Sequence, residues 1–178
     1  MAVPHPPVYQ EYYTRTPFQL FSGVGWKRLV AFRADESGVT LGGPVTRYHR
    51  FLAVVPWRDV EGVVVWATKK QMERPIRRIG LKLRAGVPDV PGPDVKISPQ
   101  LAARAAPHIE YPVVRNNRVI AFWKVDPTRL AAAVRAFAPH VQLRVHPVHR
   151  LRPGQGDGPG YAGGPGYGSG GSIFDIMP

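Results

Sequence analysis

The sequence of 178 residues contains no cysteine. This excludes disulfide bonds, iron–sulfur clusters, thiolate zinc sites and thiol nucleophiles, and it favours a cytoplasmic protein. Long apolar runs are also missing, because the longest (residues 51–57 and 63–67) fall far short of the roughly 20 residues that cross a bilayer. No amino-terminal signal peptide is recognisable. The sequence therefore predicts a protein without transmembrane segments.

Acidic residues are scarce, since 12 Asp and Glu oppose 24 Lys and Arg and leave a net charge of +12. All 24 cations but only ten of the carboxylates lie in residues 1–152, which therefore carry +14. A charge of this size favours an anionic partner, such as nucleic acid, an anionic membrane surface or an acidic protein. It does not identify a fold.

Glycine and proline mark the domain boundaries. Ten of the 19 glycines fall in residues 154–171, and this composition predicts a flexible linker at residues 153–171. An apolar peptide follows at residues 172–178. At the other end, residues 1–17 are rich in proline and tyrosine without a clear period, and we expect an irregular arm. One domain is predicted between them, at residues 18–152.

Short alternating runs predict mainly β-structure within this domain. Strands are expected at residues 27–33, 39–41, 48–55, 60–68, 79–84, 118–125 and 141–145. Residues 87–117 contain six prolines and are predicted to be an inserted loop, with one short helix starting at Ser98. No repeat of 20 to 50 residues is present.

A capping helix is predicted at residues 127–138. Asp126 suits the N-cap, Pro127 suits the first helical position, and Pro139 ends the pattern. The apolar positions with helical spacing form one face, which we expect to pack on the strands: Leu130, Ala133, Val134 and Phe137.

Two segments resemble bacterial pleckstrin-homology-like domains. Residues 54–66 (VVPWRDVEGVVVW) resemble that family's step from strand to strand through an apolar-Pro-Trp motif, and residues 32–41 (FRADESGVTL) resemble the turn before it. The resemblance covers about residues 15–146. It implies a small, strongly bent antiparallel sheet or barrel of about seven strands, capped by one C-terminal helix. It also implies a binding or oligomerising module rather than an enzyme.

The strongest candidate site is a basic cluster at residues 69–84. Its seven cations face only Glu73, so the segment carries a local charge of +6: Lys69, Lys70, Arg74, Arg77, Arg78, Lys82 and Arg84. A hairpin of this kind can bind phosphates in a salt-dependent way. The same residues can also serve only to keep an edge strand soluble.

The C-terminal peptide is the second candidate. Ile173, Phe174, Ile176 and Met177 are large apolar residues on a tether of about 20 residues, whose random-coil reach is roughly 25 Å. We interpret them as the anchors of a docking motif, which binds either a partner or the chain's own domain.

No cofactor or metal is expected. His146 and His149 would need a third ligand from a distant histidine, and the GxGxxG match at residues 158–163 lacks the flanking strand and helix of a dinucleotide site. Three functions are therefore open. The first is a non-enzymatic adaptor that docks a protein partner and presents its C-terminal peptide. The second is an anion-binding protein that uses the hairpin, and the third is an enzyme with a cleft under residues 87–117.

Overall fold

The computed structural model describes residues 8–15, 26–69 and 74–150. These residues form eight strands: β1 (Tyr9–Tyr12), β2 (Val30–Asp35), β3 (Gly38–Leu41), β4 (Ala53–Val55), β5 (Val60–Lys69), β6 (Ile76–Leu83), β7 (Asn117–Val119) and β8 (Gln142–Arg150). They also form four α-helices: α1 (Tyr48–Phe51), α2 (Pro99–Ala105), α3 (Tyr111–Arg115) and α4 (Pro127–Phe137). Short 3₁₀ turns lie at Val45–Arg47 and Trp57–Asp59. The predicted mainly β class is confirmed.

The strands form two open sheets of four rather than one sheet or barrel of seven. Sheet A has the order β1-β2-β3-β4 and is antiparallel throughout. Sheet B has the order β7-β6-β5-β8, and in it β8 runs parallel to β5. A parallel partner requires a long crossover connection, which α4 and the preceding segments supply. The capping helix thus precedes a last strand, β8, which begins within the strand predicted at residues 141–145.

The main core lies between the two sheets and α4. Phe32 and Leu41 of sheet A, Val63 and Leu81 of sheet B and Leu130 of α4 are all fully buried in it. Trp123 completes this core by stacking on Phe32, with 6.3 Å between ring centroids. Burial of such side chains stabilises the fold by about 1.5–3 kcal/mol each before conformational entropy is subtracted.

Helix α4 forms as predicted. The Oδ1 atom of Asp126 accepts hydrogen bonds from the backbone amides of Thr128 and Arg129, each at 3.0 Å. These bonds satisfy two of the donors that an N-terminus leaves free. Leu130 and Val134 are buried against the sheets and Phe137 is partly buried. The apolar stripe therefore contacts the strands, as its spacing indicated.

The segment predicted to be a loop at residues 87–117 is more ordered than expected. Helix α2 begins after Ser98, whose Oγ accepts from the Leu101 amide at 3.3 Å, as predicted. Helix α3 was not predicted. Both helices cover the second face of sheet B, where Trp66 and Val113 belong to a separate apolar cluster. This segment thus forms a second layer with its own core.

Two strand predictions and the prediction of an irregular N-terminal arm were wrong in part. The segment predicted as a strand at residues 48–55 begins as helix α1, because Tyr48 is buried and its hydroxyl donates to the Val30 carbonyl at 3.0 Å. The strand predicted at residues 118–125 ends at Val119, before Phe122 adopts a positive φ of 61°. The arm predicted to be irregular contains β1, which pairs with β2.

No helix in the described part of the chain is long and apolar enough to cross a membrane.

Candidate binding face on strand β8

The predicted basic hairpin exists, but two of its cations are already engaged. Arg78 is buried, and its Nη1 donates to Asp94 Oδ2 at 2.8 Å and to Asn117 Oδ1 at 2.9 Å. Asn117 Nδ2 also donates to Asp94 Oδ2, at 2.7 Å. Arg78 therefore ties β6 to the segment that carries α2 and α3. Its burial and its pairing with Asp94 leave little of the guanidinium accessible to an external anion.

Lys82 lies beside two carboxylates. Its Nζ is 2.8 Å from Glu110 Oε2 and 3.8 Å from Glu61 Oε2. The hydrogen bond to Glu110 raises the pKa of Lys82, and the same bond lowers the pKa of Glu110. Both groups stay charged at neutral pH and largely neutralise each other. An external anion would have to displace Glu110 to reach Lys82.

An open groove of about 340 Å³ surrounds this ion pair. Gly62 is among its lining residues, and Glu110 also reaches Arg144 of β8, with 3.3 Å between Arg144 Nη1 and Glu110 Oε1. The charged groups of the groove therefore pair with one another. The groove has the polar lining that an enzymatic cleft would need, but its carboxylate Glu110 has a lowered pKa, which disfavours it as a general acid.

The remaining described cations of the hairpin are Lys69, Arg74, Arg77 and Arg84. Arg74, Arg77 and Arg84 are exposed, and Lys69 is half-buried at the end of β5. Lys70 lies outside the described residues, as do the predicted anchors Ile173, Phe174, Ile176 and Met177. The exposed part of the cluster thus lies toward the hairpin end of sheet B and at Arg84.

Strand β8 extends this basic end in a way that the hairpin alone does not. Its register with β5 places Arg150 opposite Lys69 and Val148 opposite Ala67. Arg77 of β6 lies on the other side of Ala67. Paired residues in adjacent strands project to the same face, and neighbouring strands are about 4.8 Å apart. Arg77, Val148, Lys69 and Arg150 therefore share one small area of one face.

Val145 belongs to the same face. It pairs with Val65, one row closer to the core, and Leu143 in the next row still packs against the main core. Val145 is 52% exposed and Val148 is 48% exposed. The layer that covers this face of sheet B thus ends between Leu143 and Val145. We call the uncovered area the β8 face, and it consists of Lys69, Arg77, Val145, Val148 and Arg150.

The β8 face is basic and unneutralised. Within the described ranges, no carboxylate forms an ion pair with Lys69, Arg77 or Arg150, whereas Lys82 and Arg144 are both paired. The face also borders a sheet edge, because β8 is the last of the described strands of sheet B. Pro147 lies at an irregularity in the β5–β8 register, which suits an edge strand because proline has no amide to donate. Among the residues that the structure describes, the face therefore combines exposed valines, cations without an ion-pair partner and a strand edge without a further strand.

On the opposite side of β8, the fold brings the distant His108 to His146 and His149. The His108 ring centroid is 5.6 Å from that of His146 and 4.4 Å from that of His149, with which it stacks. Both ring nitrogens of His108 are buried and have no hydrogen-bond partner among the described residues. Among the described residues, no group of three His, Asp or Glu side chains is close enough together to hold a metal ion. Sequence reasoning singled out His146 and His149 but had no signal for the approach of His108.

Burial and the neighbouring His149 and His146 rings lower the pKa of His108 to about 4. An unfolded chain protonates histidine near pH 6.5. Between about pH 6.5 and about pH 4 the unfolded state therefore binds a proton that the folded state does not, so stability falls as the pH decreases. We expect His108→Phe to reduce this loss by about 1–2 kcal/mol, after allowance for partial exposure of the ring.

Guanidinium denaturation at pH 7 and at about pH 4.5 measures this difference. His140→Gln is the matched control, because His140 is an exposed histidine away from the cluster. If the His108→Phe variant loses stability as steeply as the unmodified protein, the histidine cluster is not the source of the pH dependence.

No family model matches the sequence, and neither a curated protein nor a solved structure shows significant similarity to the chain.

Proposed function

We propose that the chain is a non-enzymatic binding domain that docks an extended protein segment on the β8 face. The observation that carries this proposal is the exposure of Val145 and Val148 beside three cations that have no described carboxylate partner. Apolar side chains flanked by acidic ones would complement such a face. The preferred ligand is therefore an extended segment that carries two large apolar residues and then Asp or Glu at successive positions of the same face, beside Val145, Val148 and Arg150.

The free edge of β8 suggests how the segment binds. A partner strand added there would gain main-chain hydrogen bonds, while alternate side chains would lie beside those of β8. Its residues on the β8 face would contact Val145 and Val148, and side chains on the other face would lie near Arg144 and His149. Main-chain pairing would supply affinity, and the valines and cations would supply specificity.

Nucleic acid and anionic membrane are less well matched by the same face. Proteins that bind single strands present aromatic side chains for base stacking, whereas the exposed apolar residues here are valines. The hairpin proposed as a phosphate site has Arg78 in a buried network and Lys82 in ion pairs. An acidic protein segment needs fewer free cations than either polyanion.

The resemblance to bacterial pleckstrin-homology-like domains belongs to this proposal. The two segments that carry it touch each other, since Trp57 Nε1 donates to the Asp35 carbonyl at 2.6 Å and Val39 pairs with Val55. We also propose that the protein is an adaptor in the cytoplasm, consistent with its lack of cysteine. In this role the C-terminal peptide would be presented next to the binding face.

Substitutions on the β8 face should weaken binding to a fluorescein-labelled peptide that carries Ile, Phe and Glu at successive positions of one strand face, with neutral polar residues between them. We expect Val148→Asp to reduce affinity at least about tenfold, because it places a charge in the apolar contact. Arg150→Glu should reduce affinity several-fold and lessen its dependence on salt. Fluorescence anisotropy at two salt concentrations measures both effects on the full chain.

Arg135→Glu is the matched control for Arg150→Glu, because Arg135 is an exposed arginine on α4. Single-stranded DNA, RNA and phosphatidylserine vesicles are tested in parallel. Stronger salt-sensitive binding to any of these probes than to the peptide would replace the proposed partner class. Equal peptide binding by the unmodified protein and both β8-face variants would overturn the proposed site.

A further inference from the structure

We propose that residues 172–178 of the same chain occupy the β8 face as an intramolecular ligand that competes with the partner. This inference rests on the proposed function and adds a mode of regulation to that site. The C-terminal peptide then binds its own domain. The sequence alone favours its own domain and a partner equally as the binding site.

The side-chain pattern of the peptide fits strand addition at β8. Phe174 and Ile176 are two residues apart and would lie on one face of an added strand. On β8 the corresponding positions are Val145 and Val148, because they pair with Val65 and Ala67, which are themselves two residues apart. The irregularity around Pro147 thus aligns the two exposed valines as consecutive same-face positions. Phe174 and Ile176 can then contact both valines at once.

The remaining residues of the peptide complement the other face. In this register Asp175 points away from the valines, toward the side that carries Arg144, His146 and His149. Residues 153–178 contain Asp157 and Asp175 and no Lys or Arg, so their charge is −2 against +14 for residues 1–152. Opposite charges of this size favour association of the tail with the domain.

The connecting segment has a suitable length and origin. Strand β8 ends at Arg150, so residues 151–172 connect it to Ile173. The distance along the strand from Arg150 back to Val145 is about 17 Å at 3.3 Å per residue. A Gly-rich chain of this length has an r.m.s. span of roughly 25 Å, which covers that distance. Such a tether gives an effective concentration near the millimolar range, at which even weak contacts produce occupancy.

A spin label tests the location of the peptide. Because the chain has no cysteine, Ser172→Cys provides one attachment point for a nitroxide on the full-length protein. We expect strong paramagnetic broadening of the Val145 and Val148 amide signals, independent of protein concentration and removed by reduction of the label. The additional change Phe174→Asp with Ile176→Asp should abolish the broadening. Unbroadened β8 amides would overturn the inference.

A mixed sample separates the chain's own tail from that of a second copy. The mixed sample contains two proteins. One is isotope-labelled and has no nitroxide, and the other carries the nitroxide but no isotope label. Broadening only in the sample whose protein carries both labels supports intramolecular docking. Broadening in the mixed sample that increases with protein concentration contradicts it.

A competition measurement keeps the inference distinct from the proposed function. The Phe174→Asp, Ile176→Asp variant should bind the fluorescein-labelled peptide at least about fivefold more tightly than the unmodified chain, because its site is no longer occupied. Unchanged affinity in this variant, with loss of binding in Val148→Asp, overturns the intramolecular ligand but leaves the proposed function intact. Absence of peptide binding in every variant, including this one, overturns the proposed function.

Discussion

Replacing Arg118 with methionine is expected to lower the free energy of unfolding by about 3–5 kcal/mol. Arg118 is only 2% exposed, and its guanidinium donates to four backbone carbonyls. Nε donates to Gly42 at 2.8 Å, and Nη2 donates to Phe51 at 2.5 Å and to Pro91 at 2.7 Å. Methionine restores most of the apolar volume but leaves these carbonyls buried without a donor.

The same hydrogen bonds explain why the effect should be global. Gly42 follows β3, Phe51 ends α1, and Pro91 belongs to the segment that leads to α2, so one guanidinium joins three parts of the chain. Burial lowers the pKa of Arg118 to about 10, which leaves the group charged at neutral pH. Arg118→Lys should therefore keep the charge but lose the forked geometry, with an intermediate cost of about 2 kcal/mol.

Urea denaturation of the three proteins measures this order of stability. Arg135→Met on the exposed side of α4 is the matched control and should change the free energy of unfolding by less than about 0.5 kcal/mol. An Arg118→Met protein within about 1 kcal/mol of the unmodified protein would show that the buried guanidinium is not a structural requirement.

The parts of the fold that the sequence predicts well are those with local signals. Helix α4 is specified by the cap Asp126, by Pro127 and by an apolar stripe, and all three operate within 12 residues. The start of α2 at Ser98 is predictable for the same reason. The alternation around Leu81 correctly places that residue in the core, because a half-buried strand repeats every two residues.

The buried arginines were not predictable, because their partners are distant in sequence. Arg118 donates to carbonyls 76 and 67 residues away, at Gly42 and Phe51. The alternating pattern of apolar and polar residues predicts that such a residue is exposed, because an arginine is buried only where several hydrogen-bond acceptors surround it. For the same reason, local charge density predicted Arg78 as a binding residue, whereas in the structure its side chain ties β6 to Asp94 and Asn117.

The candidate site was predictable only in part. Lys69 and Arg77 were identified from local charge density, but Arg150 joins them through the parallel pairing of β8 with β5. That pairing depends on a crossover of more than 70 residues and on a register shift at Pro147. Val145 and Val148 are exposed because the layer packed on that face of sheet B ends before it reaches them. The position of that end is set by tertiary packing, and no local sequence pattern indicates it. His108 meets His146 and His149 for the same reason.

Replacing Gly38 with alanine is expected to destabilise the protein by about 3–5 kcal/mol. Gly38 has a φ of +139°, a region that residues with a side chain rarely adopt. An added Cβ would also lie 2.1 Å from the Val55 carbonyl oxygen and 2.9 Å from Pro56 Cα, both of which belong to the backbone. Relief of this clash requires β3 and β4 to separate where Val39 pairs with Val55. The adjacent hydrogen bond from Trp57 to Asp35 would be strained by the same movement.

Gly86→Ala is a matched control for the two contributions at Gly38. Gly86 also has a positive φ, +85°, but an added Cβ there has no atom within 4 Å. Its substitution by alanine should therefore report the backbone strain alone, about 1–2 kcal/mol. The difference between the two variants in guanidinium denaturation then measures the additional cost at Gly38, which combines the clash between β3 and β4 with the less accessible φ of +139°. Equal destabilisation by both substitutions would show that this approach relaxes freely, and that Gly38 is required only for its backbone conformation.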